Sequence, residues 1–135
     1  MRIAAFLILA AVSSCVMHAA APDEEESRKS GEAWLSLVDA QKYDESWKEA
    51  SAQFRSAVTQ EQWAAALKGA RDPLGPMVSR TSARVNFTKT LRGAPDGDYA
   101  IFHFTTVFKN KEGVTERLTL VQEEGKWRVT AYAIH

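Results

Sequence analysis

The sequence predicts an α+β domain in which about three helices pack on one face of a four-stranded antiparallel sheet. Three observations carry this. Between Asp23 and Arg71 the apolar residues recur at i, i+3, i+4 and i+7; from Met77 onward the chain is rich in β-branched and aromatic residues that alternate; and turn signals divide that second half into four runs. With 135 residues, 45% hydrophobic, and only 7 glycines and 4 prolines, the chain is expected to hold one core.

The first helix is expected in "DEEESRKSGEAWLSLVDAQ". Its acidic start suits a helix N-terminus, and Trp34, Leu37, Val38 and Gln41 share a stripe. Gly31 weakens its middle, so the ordered part is expected from about Glu32. The second helix, "YDESWKEASAQFRSAV", takes Asp44 as N-cap and sets Trp47, Ala50, Ser51, Phe54 and Val58 on one face. In "TQEQWAAALKGAR", Thr59 and Gln62 form a capping box, and Trp63, Ala66, Leu67 and Ala70 form the buried stripe. The tryptophans at helical spacing are core anchors. Pro73 then stops the helix, and Gly75 and Pro76 turn the chain.

The four strands are expected in "MVSRTSARVNFTKTL", "DYAIFHFTTVFKNK", "VTERLTLVQEE" and "KWRVTAYAIH". They are separated by "PDG" at residues 95–97, "NKEG" at residues 110–113, and Gly125. Phe102, Phe104, Phe108 and Ala100 share the more apolar parity and are assigned to the helix side. The other face is expected to carry Ile101, His103 and Val107 with some of Thr119, Val121, Thr130 and Tyr132. In the last strand Trp127, Val129 and Ala131 alternate with Arg128, Thr130, Tyr132 and Ile134, so one parity is expected to be buried and the other to offer aromatic surface. No segment remains to cover that outer face, so a second copy of the chain is expected to meet it in a homodimer.

Residues 1–21 read as a secretory signal: Arg2 is followed by an apolar run from Ile3 to Val12, shorter than the roughly 20 residues of a spanning helix. Residues 22–135 form the single mature domain. Two processing routes stay open. "VSSC" resembles a bacterial lipobox with Cys15 as the lipidation candidate, and ordinary cleavage near Ala19 to Ala21 is the rival. The protein is expected in the periplasm or cell envelope, meeting the membrane only through a lipid anchor if Cys15 is modified. Cys15 is the single cysteine, so no disulfide is expected in the mature domain. Seventeen Lys and Arg balance seventeen Asp and Glu, and loss of Arg2 leaves sixteen against seventeen. Such a balance argues against a nucleic-acid partner and against steering of ionic partners generally.

The runs "AWLSLVDAQKYDESW", "VTQEQW", "RDPLG…SR", "LRGAPDGDY" and "EGKWRVTAYAI", in this order from about Ala33 to Ile134, resemble the bacterial exported family catalogued as domain of unknown function 4019. More loosely, the helical front half and "GKWRV" resemble the cone-shaped fold of nuclear transport factor two-like or cystatin-like proteins. The first resemblance implies an exported bacterial protein with no established activity. The second implies an architecture that hosts enzymes, binding modules and dimerisation modules alike.

Candidate site residues are few. His103, on a strand beside Tyr99 and Thr105, has the chemistry of a general base and equally that of a bystander on a sheet surface. Arg71, Arg80 and Glu116, with Asp39, fall within the family-like runs; they are read as ligands for an anion or as partners of helix ends and of one another. Tyr43, Tyr99 and Tyr132 are hydrogen-bond donors or boundary residues. The histidines have no metal-ligand spacing, "DEEE" lacks the alternation and glycine of a calcium loop, and no phosphate loop or nucleophile elbow occurs. No metal and no cofactor are expected. The working expectation is a non-enzymatic envelope module that binds a small molecule or an envelope-protein partner. The alternatives are a small enzyme using His103 or a tyrosine with a carboxylate, and a structural dimerisation module.

Overall fold

A computed structural model of the protein describes residues 22–135. The signal, the lipobox and Cys15 lie outside the described residues. The elements are α1 (Pro22–Asp39), α2 (Tyr43–Glu49), α3 (Ala52–Ala57), α4 (Gln60–Arg71), a short 3-10 turn (Asp72–Leu74), β1 (Met77–Thr88), β2 (Tyr99–Phe108), β3 (Lys111–Glu123) and β4 (Lys126–Ile134). The strands form one antiparallel sheet in the order β1-β2-β3-β4, with the helices on one face, so the α+β architecture read from the sequence holds.

The helices depart from expectation where a local interaction beats periodicity. The second expected helix is two, because Ala50 turns extended and Ser51 starts afresh: its hydroxyl accepts from the Phe54 amide while its own N–H donates to Val129 O at 2.8 Å. Asp44 is not a cap; α2 starts after Lys42 without a side-chain cap, and Asp44 sits in its first turn. The Thr59–Gln62 capping box forms as read. Helix α1 runs unbroken through Gly31, whose missing side chain lets the helix press on the sheet: a Cβ there would stand 3.0 Å from Leu118 Cδ2. Leu35 is fully buried beside Trp34 and Val38, whereas Leu37 is half-buried and Gln41 exposed. In α4 the buried stripe is Trp63, Leu67 and Arg71; Ala66 and Ala70 face water, so the inward line runs at i, i+4, i+8 and ends on a cation.

Trp34, Trp63 and Trp127 are buried, and Trp47 is half-buried against the same core. The indoles also tie helices together: Trp34 donates to Ser46 O at 2.9 Å, Trp63 to Ser46 Oγ at 3.0 Å, and Trp47 to Val58 O at 2.8 Å.

Ala100, Phe102, Phe104, Thr106 and Phe108 face the helices, as their parity predicts. The last strand does not keep its parity. A β-bulge lies where the register jumps from Thr119↔Ala131 to Leu120↔Val129, leaving Thr130 as the extra residue. Trp127 and Val129 point to the helices before the bulge, and Tyr132 does so after it. The expected outward aromatic is therefore inside, with its ring 5.5 Å from that of Trp34. Thr119 and Val121 are buried rather than exposed, and Tyr99, of the outer parity, is covered as its hydroxyl donates to Pro95 O in the preceding loop. The β3–β4 hairpin turns through Glu124 (φ 52) and Gly125 (φ 77), the paired positive angles that a two-residue hairpin needs.

Candidate functional site

Charged side chains meet inside the helix–sheet layer, contributed by nearly every long element. Asp39 ends α1, Arg71 ends α4, Arg80 is on β1, Thr106 on β2, Glu116 on β3 and Tyr132 on β4. Their inward direction follows from register: Arg80 pairs with Thr106, Phe104 with Glu116, and Leu118 with Tyr132, all on the helix-facing parity.

Arg80 bridges the two acids. Its Nη1 and Nη2 donate to Asp39 at 2.7 and 2.9 Å, and its Nε and Nη2 donate to Glu116 at 2.8 and 3.3 Å. Arg71 donates through Nη2 to the same Asp39 at 2.8 Å and through Nη1 to the Tyr132 hydroxyl at 3.3 Å, with its guanidinium 4.7 Å from the centre of the Phe108 ring. Glu116, with no exposed surface, also accepts hydrogen bonds from Thr106 and Tyr132. Two cations and two carboxylates thus share the site; the Nε of Arg71 alone among their polar atoms is shielded without a partner.

The protonation states follow from this geometry. Burial by itself would push the Asp39 carboxyl up, but the hydrogen bonds from Arg80 and Arg71 outweigh it and hold it below its ordinary value. Burial would weaken the charge on both arginines, and the same carboxylates more than restore it. Burial pushes the Tyr132 phenol far above its usual range, and the Glu116 charge beside it adds to that shift, so the hydroxyl keeps its proton. Asp39 also sits at a helix C-terminus, where the macrodipole disfavours an anion; two guanidinium groups offset that.

Of the residues singled out in the sequence, Arg71, Arg80, Glu116 and Asp39 are therefore together. His103 and Tyr99 are on the other side of the sheet. Thr106 and Tyr132 complete the cluster; Tyr132 was hidden by the bulge, and Thr106 carried no signal beyond an inward parity shared with four apolar neighbours. Tyr43 is half-buried against the core, and burial raises its phenol pKa. Among the described residues no group of three or more His, Cys, Asp or Glu is placed to hold a metal ion, and no helix is long and apolar enough to cross a membrane.

A separate groove of about 830 Å³ opens between α1, α2 and the β3–β4 hairpin. Ala33, Trp34, Leu37, Trp127 and Val129 supply its apolar wall. Lys29, Lys48, Lys126 and Arg128 line it together with Glu26, Glu45 and Glu49. Trp127 also borders a second groove of about 410 Å³ with Phe87 and Tyr99, and its shielded indole N–H has no acceptor among the described residues.

Helices packed on one face of a four-stranded antiparallel meander, with a polar cluster between the layers, make an α+β fold that resembles the cone-shaped fold of the nuclear transport factor two-like proteins. The structure of Aln2 from a Streptomyces species superposes on it with a TM-score of 0.58 at 15% identity, covering 86% of this chain and 92% of that one. At that identity the likeness shows the fold and nothing of the activity. The sequence model of the protein of unknown function family DUF4019 matches residues 30–132, and the chain belongs to that family. No curated protein matches.

Proposed function

We propose that this domain is a non-enzymatic binding module of the bacterial cell envelope, and that a small amphipathic ligand occupies the groove between α1, α2 and the β3–β4 hairpin. The observation that carries the reading is the groove itself. Its volume lies within the range of small-molecule sites, two indoles stand in its wall, and both cations and anions line it. A ligand with an apolar body and a polar or zwitterionic end matches that lining.

The charged cluster supports binding over catalysis. A tyrosine beside a carboxylate is the pair an enzyme of this fold would use, but Glu116 is closed to water and Tyr132 holds its proton far beyond neutral pH. Export and lipidation at Cys15 belong to the same proposal. Mass spectrometry of the native protein taken from its own envelope tests all of it: retained ligand mass, acyl chains and the true N-terminus are read together. A protein that carries no ligand, and whose Trp127→Phe variant keeps the same intrinsic fluorescence response to envelope extracts, would sink the groove assignment. An N-terminus at Ala20, Ala21 or Pro22 would remove lipidation while leaving export in place.

A further inference from the structure

The outer sheet face holds cations with no acidic partner among the described residues. Register places Arg84 directly opposite His103 and His103 directly opposite Arg117, in one row across β1, β2 and β3. Adjacent strands lie about 4.8 Å apart, so the two arginine backbones stand roughly 10 Å from each other. Both arginines are exposed and His103 is half-buried. Among the described residues neither Arg84 nor Arg117 has an acidic partner, in contrast to Arg71, Arg80, Arg28 and Arg128, which all do. The Nδ1 of His103 is shielded from water and has no hydrogen-bond partner.

The neighbours of the row on this face are uncharged: Thr81, Asn86, Ile101, Thr105, Thr115, Thr119, Ala131 and Ala133 by register. His135 extends the same face, exchanging backbone hydrogen bonds of 2.9 and 3.1 Å with Thr115. The chain as a whole is polarised in the same sense. Residues 22–72, which make the helical layer, hold eleven acidic and seven basic residues, and residues 73–135 hold six and nine.

We infer that the outer sheet face docks an acidic segment of a partner protein, with Arg84 and Arg117 each taking a carboxylate and His103 between them. Charge complementarity selects this occupant. A second copy laid face to face would set arginine row against arginine row, because a two-fold interface joins a patch to itself. Alternate residues of an extended segment stand about 7 Å apart on one side, a spacing that two long arginine side chains rooted roughly 10 Å apart can bracket. The guanidinium fork suits a carboxylate.

The test is fluorescence anisotropy of a labelled hexaglutamate peptide titrated with the mature domain at about 10 mM ionic strength, where the screening length is roughly 30 Å, and at about 150 mM, where it is about 8 Å. Binding should weaken several-fold with the added salt. It should fall roughly tenfold in an Arg84→Gln, Arg117→Gln double variant, equivalent to about 1.4 kcal/mol. A Lys29→Gln, Lys48→Gln variant on the groove should bind as the unaltered domain does. All four positions are exposed and polar, so folding is expected to survive, and near-ultraviolet circular dichroism checks it.

No binding at low salt, or equal binding by the double variant, would overturn the inference. So would tighter binding to anionic phosphatidylglycerol vesicles or to a thymidine oligonucleotide than to hexaglutamate, since either would make the partner something other than an acidic protein. Sedimentation of the domain alone closes the remaining route: concentration-dependent dimers lost in the double variant, with no peptide binding, would assign the face to a second copy.

Discussion

Replacing Arg80 with Met removes the cation that hydrogen-bonds to both acids of the cluster. The variant leaves Asp39 with Arg71 at 2.8 Å, but leaves Glu116 with two neutral hydroxyl donors and a guanidinium 3.9 Å away. Glu116 has no exposed surface and the Arg80 side chain is 11% exposed, so little solvent screening enters the balance. Breaking a buried pair by removing one partner costs about 3–5 kcal/mol, because the surviving charge is stranded. Against a total stability of about 5–15 kcal/mol for a domain of this size, Arg80→Met should shift urea unfolding strongly while leaving a folded population at low urea. The midpoint is read from tryptophan fluorescence, since all four indoles pack in or against the core. Two further readouts separate stranded charge from lost packing. The deficit should shrink toward acid, where protonating a carboxyl removes the charge that Arg80 no longer balances. An Arg80→Met, Glu116→Gln double variant should be no less stable than Arg80→Met alone, giving a coupling at least as large as the loss measured for Glu116→Gln by itself. A loss under about 1 kcal/mol at neutral pH, unchanged by acid, would refute the view that the cluster holds β1 and β3 to the end of α1 by charge.

Three other outcomes are expected. Stability should fall at both pH extremes for separate reasons: Asp39, held below its ordinary 3.8, contributes stability that is present above that value and lost as pH falls through its folded pKa, whereas Tyr132, raised above its ordinary 10.0, contributes stability present below that value and lost as pH climbs past it. A Tyr132→Phe variant should lose the alkaline limb in a denaturation series and keep the acid one. Gly69→Ala should stabilise by about 0.5–1 kcal/mol, because its Cβ meets open space in the last turn of α4, while Gly31→Ala should give no such gain, because its Cβ would press on fully buried Leu118; thermal unfolding distinguishes them. Trp63→Ala should cost about 3–5 kcal/mol, since it opens a cavity against Phe54 and Trp34 and removes the donor to the Ser46 hydroxyl, and a smaller loss in urea titration would show that the helices repack.

The parts of the fold that were readable are those governed by local chemistry. The Thr59–Gln62 box, the phenylalanine parity of β2 and the Gly125 turn each follow from a few adjacent residues, and each is where it was expected. What could not be read depends on contacts distant in sequence. Ser51 breaks a helix because its amide reaches Val129, 78 positions on, and Ala50 gives no warning of it. The Thr130 bulge inverts everything after it, so strict alternation sends Tyr132 to the wrong face. Arg71, Arg80, Glu116 and Asp39 were recognisable as a set through the runs they lie in, but their meeting point is a product of register, and periodicity alone assigns inward positions to apolar residues.

Charge shows the same separation between composition and placement. A net charge near zero argues against ionic partners only if the charges are mixed evenly, and the fold does not mix them. Two arginines and two carboxylates cancel within the cluster, where burial makes cancellation necessary. The acids in excess gather on the helical layer, while Arg84 and Arg117 stand unopposed on the far side of the sheet. Arg80 and Arg84, on one strand, differ in side-chain parity: Arg80 points inward and becomes structure, and Arg84, displaced to the other parity by the register shift between Ser82 and Arg84, points outward and stays free to meet an anion. Removing that shift would turn Arg84 toward the phenylalanines of β2, where no carboxylate remains to receive it. The irregularity in β1 is thus what lets one strand serve a buried salt-bridge network at one end and a solvent-facing cationic row at the other.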